Sequence, residues 1–128
     1  MSSYKKEADV KKAIDKALKT AGAYVVMYVP VGFGKAGVPD YIVCIGGLFL
    51  GIEAKLDAKK NPPTKLQQYN MVEIKNAGGL ACVVDKSNVE DLPQILEHLQ
   101  QDYIPRGAKE VAVDNYSAVP VTSPLLED

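Results

Sequence analysis

Histidine and cysteine are scarce in this 128-residue chain, which has one histidine, His98, and two cysteines, Cys44 and Cys82. A zinc centre built on several imidazoles or thiolates lacks the ligands it needs, and no disulfide framework organises the fold. Both cysteines lie in apolar, strand-like runs, so we expect buried free thiols. His98, between Glu97 and Leu99, reads as a partly exposed helix residue and a poor candidate for a catalyst. No apolar run approaches the roughly 20 residues that cross a bilayer. The segment Met1 to Glu7 has no secretory apolar stretch, so a cytoplasmic location is expected. There is no internal repeat.

What is present has the proportions of an ordinary globular domain, 47% hydrophobic and 24% charged, and enough length for one sizeable core. The net charge of −1 hides an asymmetry. Residues 1–75 hold twelve basic and seven acidic side chains, whereas residues 76–128 hold three and nine. Lys5, Lys6, Lys11, Lys12, Lys35, Lys59, Lys60 and Lys65 are therefore candidate phosphate contacts, although a solvated lysine-rich surface explains the same composition.

Hydrophobic spacing places a helix over Tyr4 to Ala21, with Val10, Ile14, Leu18 and Ala21 on its inner stripe and Gly22 ending it. Ala23 to Val31 is strand-like. The loop Gly32-x-Gly34-x-x-Gly37 has the letters of a dinucleotide fingerprint, but Val38-Pro39 leads into a strand where that motif must open a helix. We read it as a flexible loop beside a site. Asp57 to Pro63 is a polar loop. Thr64 with Gln67 forms a capping box opening a second helix, which Gly78-Gly79 stops. Leu80 to Val84 is a short strand, and Ser87 with Glu90 is expected to cap a third helix with Leu92, Ile95, Leu96 and Leu99 inward. The order α-β-β-β-α-β-α implies an α/β fold with a mixed sheet flanked by helices. Residues 1–103 form one domain, and residues 104–128, with Pro105, Pro120 and Pro124, read as an extension that is extended or packs on a partner.

The most informative segment runs from Gly37 to Lys55. Two apolar runs, Tyr41 to Ile45 and Leu48 to Ile52, flank Gly46-Gly47, a pair suited to a two-residue primed turn. If Ile45 pairs with Leu48, the ladder continues through Cys44–Phe49, Val43–Leu50, Ile42–Gly51 and Tyr41–Ile52 to Asp40–Glu53. Directly opposed side chains share a face with Cβ atoms roughly 4.5–5.5 Å apart, and Lys55 projects from that face as well. Opposed like charges are unfavourable, so the acidic pair needs a cation. Magnesium, which takes oxygen ligands and needs no all-protein cage, is the natural candidate.

Singly, these residues have plain explanations. Asp40 fits a turn and Glu53 an exposed strand position; together, with Lys55, they indicate a site. Glu7 lies on the first helix's inner stripe, where a carboxylate needs a partner, though the helix dipole also favours a glutamate in the first turn. Gln67 is explained by capping, yet it shares a helical face with Met71 and Ile74.

Pro39-Asp40, then Glu53-Ala54-Lys55 after a short hairpin, with Glu7 upstream and Pro63-Thr64-Lys65-Leu66-Gln67 and Ala77-Gly78-Gly79 downstream, resembles the PD-(D/E)XK nuclease superfamily. More closely, it resembles the stand-alone virus-type replication-repair nuclease (VRR-NUC) domains of phages, over roughly Lys5 to Val84. The resemblance implies a restriction-endonuclease-like core and DNA as substrate, and a phage-infected cell as the setting. It implies metal ligation by Asp40 and Glu53 with the Ala54 carbonyl, Lys55 as catalytic lysine, Glu7 as the helix carboxylate at or near the metal, and Gln67 as the helix glutamine. Ala54 stands where the family often has valine, a difference without consequence if only its carbonyl is used.

The expected function is magnesium-dependent hydrolysis of DNA phosphodiesters, with manganese as a substitute metal. Its sharper form is an endonuclease for branched, Holliday-junction-like DNA acting as a homodimer. Two other readings stand beside it. One is a nucleic-acid-binding or assembly protein that keeps the fold without catalysis; the other is a phosphohydrolase for small nucleotides, which the lack of an evident base pocket disfavours.

Overall fold

A computed structural model describes residues 3–29, 32 and 34–101. The proposed extension 104–128 lies outside the described residues. Helix α1 spans Glu7–Ala21, strand β1 Tyr24–Met27, β2 Tyr41–Ile45 and β3 Leu48–Ala54. Helix α2 follows at Lys65–Asn76, then β4 at Leu80–Val84, a 3-10 turn at Val89–Asp91 and helix α3 at Leu92–Gln101. The fold is α/β, with a four-stranded mixed sheet in the order β1-β2-β3-β4. The first two pairings are antiparallel, and β3 pairs parallel with β4 across the α2 crossover.

The β2–β3 register is the one the glycine pair dictates, running from Ile45–Leu48 to Tyr41–Ile52. Gly46 and Gly47 have φ of 56° and 78°, the left-handed region that a primed turn requires. Gly46 has a second reason to lack a side chain: a Cβ there would sit 2.7 Å from the Leu99 carbonyl oxygen.

Alternation along these strands builds two unlike faces. Tyr41, Val43, Ile45, Leu50, Ile52 and Ala54 point into the core and meet Val10, Ile14 and Leu18 of α1 and Leu92 and Leu96 of α3. Helix α2 lies over the opposite face, where Gly51 permits the close approach of Ile74 and Pro39. A groove of about 570 Å³ remains between α2 and the sheet, lined by Pro39, Ile42, Phe49 and Ile74 among others.

Several local expectations are corrected. Cys44 is exposed and Cys82 half-buried, because both fall on incompletely covered positions of the sheet. Burial still pushes the Cys82 thiol up. Ile95 is 49% exposed, leaving Leu92 and Leu96 as the buried residues of α3. The Ser87–Glu90 capping box is replaced by a turn built on Asp85. Its carboxylate accepts from Ser87 N and Oγ and from Ala58 N, while Asn88 Oδ1 accepts from Asp85 N. Burial raises the Asp85 pKa, but these donors outweigh it and hold the group below its ordinary value. No helix among the described residues is long and apolar enough to cross a membrane.

Candidate active site

The site lies where β2 begins and β3 ends. Ile52, directly opposite Tyr41, faces the core, so the residues next to each, Glu53 and Asp40, fall on the α2 side. Asp40 closes the ladder with its side chain: Oδ2 accepts from the Ala54 backbone N–H at 2.9 Å. Glu53 is only 3% exposed. Its Oε2 accepts from Gln67 Nε2 at 2.9 Å and lies 3.9 Å from Lys55 Nζ. Its Oε1 is buried without a hydrogen-bond partner among the described residues.

The electrostatics follow from this enclosure. Burial first, and the neighbouring Asp40 carboxylate second, push the Glu53 pKa from 4.5 to about 7, against the lowering influence of Lys55. A buried carboxylate with an unsatisfied oxygen, beside a second carboxylate, is a poor structural element and a good receptor for a hard cation. Oxygen donors of this kind suit magnesium or manganese. Among the described residues no group of three or more His, Cys, Asp or Glu is arranged to hold a metal, so the candidate donor set is the pair Asp40 and Glu53, with Ala54 next in chain.

Gln67 makes two sets of hydrogen bonds. Its Oε1 accepts from Thr64 N at 2.9 Å and Thr64 Oγ1 accepts from Gln67 N at 3.1 Å, completing the capping box. The same amide presents its Nε2 to Glu53. Capping thus fixes which end of the amide faces the carboxylate.

Glu7 is not buried as its stripe position implies. Its side chain is 43% exposed, because it begins α1 beyond the first buried turn and pairs with Lys11 at 3.3 Å. Lys11 also lies 3.9 Å from Asp40 Oδ1, linking Glu7 to the hairpin. Beyond its value as a candidate phosphate contact, Lys11 has an i,i+4 spacing from Glu7 that marks it as part of this cluster.

The glycine loop is anchored where it is described. Buried Asn70 donates from Nδ2 to Ala36 O and Leu66 O, Lys35 pairs with Glu73 at 3.4 Å, and Tyr28 Oη donates to Lys35 O. Gly37, at φ 80°, sits where a Cβ would meet Leu66 and Asn70 at under 3 Å. Of the expected flexible loop Gly32–Gly37, the part from Lys35 to Gly37 is packed against α2. His98 is exposed on α3. Lys5, Lys6, Lys12, Lys35, Lys59, Lys60 and Lys65 are also exposed, and Lys11 is half-buried.

In comparisons with known proteins, no family model and no curated protein matches the chain.

Proposed function

We propose that this chain is a metal-dependent DNA endonuclease with a PD-(D/E)XK core of the VRR-NUC kind, using magnesium or manganese. In its sharper form it acts as a homodimer on branched, Holliday-junction-like DNA. The observation that carries this reading is Glu53: enclosed, bonded through one oxygen by Gln67, unsatisfied at the other, and flanked by Asp40 and Lys55. A bound divalent metal supplies Lewis acidity toward the scissile phosphate and the attacking water. Asp40 and Glu53 hold it. Lys55 orients the water and offsets charge on the phosphate oxygen as the phosphorus–oxygen bond to the leaving sugar breaks. Gln67 keeps the Glu53 carboxylate in one orientation, and the exposed lysines bind the DNA backbone without reading sequence.

The test is incubation with magnesium or manganese and a panel of linear, nicked, flapped and four-way DNA, with nucleoside triphosphates alongside. Cleavage concentrated on branched substrates is expected. Binding without cleavage of any substrate would instead identify a nucleic-acid-binding or assembly protein, and hydrolysis of the nucleotides alone a small-molecule phosphohydrolase.

A further inference from the structure

We propose that Lys11 is a built-in counter-cation of this site, which a divalent metal must displace from Asp40, so that Lys11 sets the metal affinity and releases Glu7 on leaving. The inference rests on Asp40 and Glu53 being the metal carboxylates.

Asp40 Oδ2 is occupied by the Ala54 N–H and Glu53 Oε2 by Gln67 and Lys55. The oxygens left for a cation are Glu53 Oε1, which is unpartnered, and Asp40 Oδ1, which has Lys11 Nζ at 3.9 Å. A dication on Asp40 Oδ1 and an ammonium at that distance repel each other strongly in a partly enclosed site. The two therefore exclude one another.

The two lysines differ in their freedom to move. Lys55 is enclosed, with its side chain 11% exposed, and stays beside Glu53. The Lys11 backbone is anchored through its carbonyl, which accepts from the buried Tyr41 hydroxyl at 3.2 Å, while its ammonium is held by the Glu7 and Asp40 carboxylates alone among the described residues. Its side chain is 32% exposed, so the four-carbon stem can swing the ammonium into water while the helix stays fixed. Its departure leaves Glu7, now paired at 3.3 Å, without its counter-ion and able to turn toward the metal. Lys11 is a positioning residue here: it acts through Asp40 and Glu7.

Calorimetric titration of the DNA-free protein with manganese tests this without reference to activity. Lys11→Met should bind manganese about tenfold more tightly than the wild type. Lys12→Met, which removes an exposed neighbouring charge, should change affinity less than about twofold. Glu7→Gln should cancel most of the gain in the Lys11→Met background, a non-additivity that general charge removal does not produce. Methionine is a good helix former, and Lys11→Gln provides a second variant should the first fold poorly. Affinity in both Lys11 variants equal to or weaker than wild type, with Asp40→Asn still abolishing binding, would overturn the role of Lys11 alone. An equal gain in Lys12→Met, or a gain untouched by Glu7→Gln, would overturn it too. Absence of manganese binding in the wild type, or binding indifferent to Asp40→Asn, would overturn the site reading and this inference together.

Discussion

The two faces of the sheet come from alternate residues of the same two strands, yet they obey opposite rules. On the α1 and α3 side, Tyr41, Val43, Ile45, Leu50 and Ile52 are at most 3% exposed, and their side chains are hydrocarbon except for one tyrosine hydroxyl. On the α2 side, Ile42 is half-buried, Cys44 and Phe49 are exposed, Gly51 is buried without a side chain, and the buried side chains are those of Glu53 and Lys55. The first face supplies stability by burying apolar area. The second gives up stability by enclosing charge, which it can do because the first is complete. A slip of one residue in the β2–β3 register would exchange the two sets.

The sharpest way to break this contrast is to truncate one residue on each side. Ile52→Ala, on the packed face, should cost about 3–4 kcal/mol in chemical denaturation, whereas Phe49→Ala, 44% exposed, should cost less than about 1 kcal/mol. Equal losses would show that the faces do not divide their labour.

A pH titration of metal-free stability addresses the enclosed charge. Folding raises the Glu53 pKa from 4.5 to about 7, so the folded state holds that proton more tightly than the unfolded chain. The contribution is fully present below pH 4.5 and is lost as pH rises through about 7. We expect the metal-free protein to lose on the order of 2 kcal/mol across this window, read as a falling Tm. Glu53→Gln should remove most of that slope. A slope unchanged by the substitution would assign it to another group.

Gly46→Ala is a milder disturbance aimed at the turn. With φ at 56° and the Leu99 carbonyl in the way, it should cost about 2 kcal/mol. An unaltered Tm would mean that the turn does not constrain the register.

Much of this arrangement is legible in the sequence, for a physical reason. Gly46-Gly47 between two apolar runs admits few turns, and a period of two then assigns every strand residue to a face, including Asp40 and Glu53. Thr64 and Gln67 likewise mark the start of α2 through local hydrogen bonding. What escapes is what depends on neighbours from distant segments. Cys44 lies in an apolar run yet is exposed because α2 covers only part of its face, and Ile95 follows the helical stripe but emerges at its margin. The Ser87–Glu90 pattern loses to Asp85, whose carboxylate gathers donors from two segments at once. Lys11 joins the site because α1 packs beside the hairpin, an event with no local signature beyond its spacing from Glu7.

The central claim is that Asp40, Glu53 and Lys55 form one metal-dependent hydrolytic site, and paired assays on a single four-way DNA substrate test it most directly. Cleavage rate and DNA affinity would be measured for the wild type, Glu53→Gln and Lys55→Met. We predict a loss of cleavage of roughly a thousandfold or more in both variants, with affinity within about threefold of wild type. Cleavage at the wild-type rate in either variant would contradict the account.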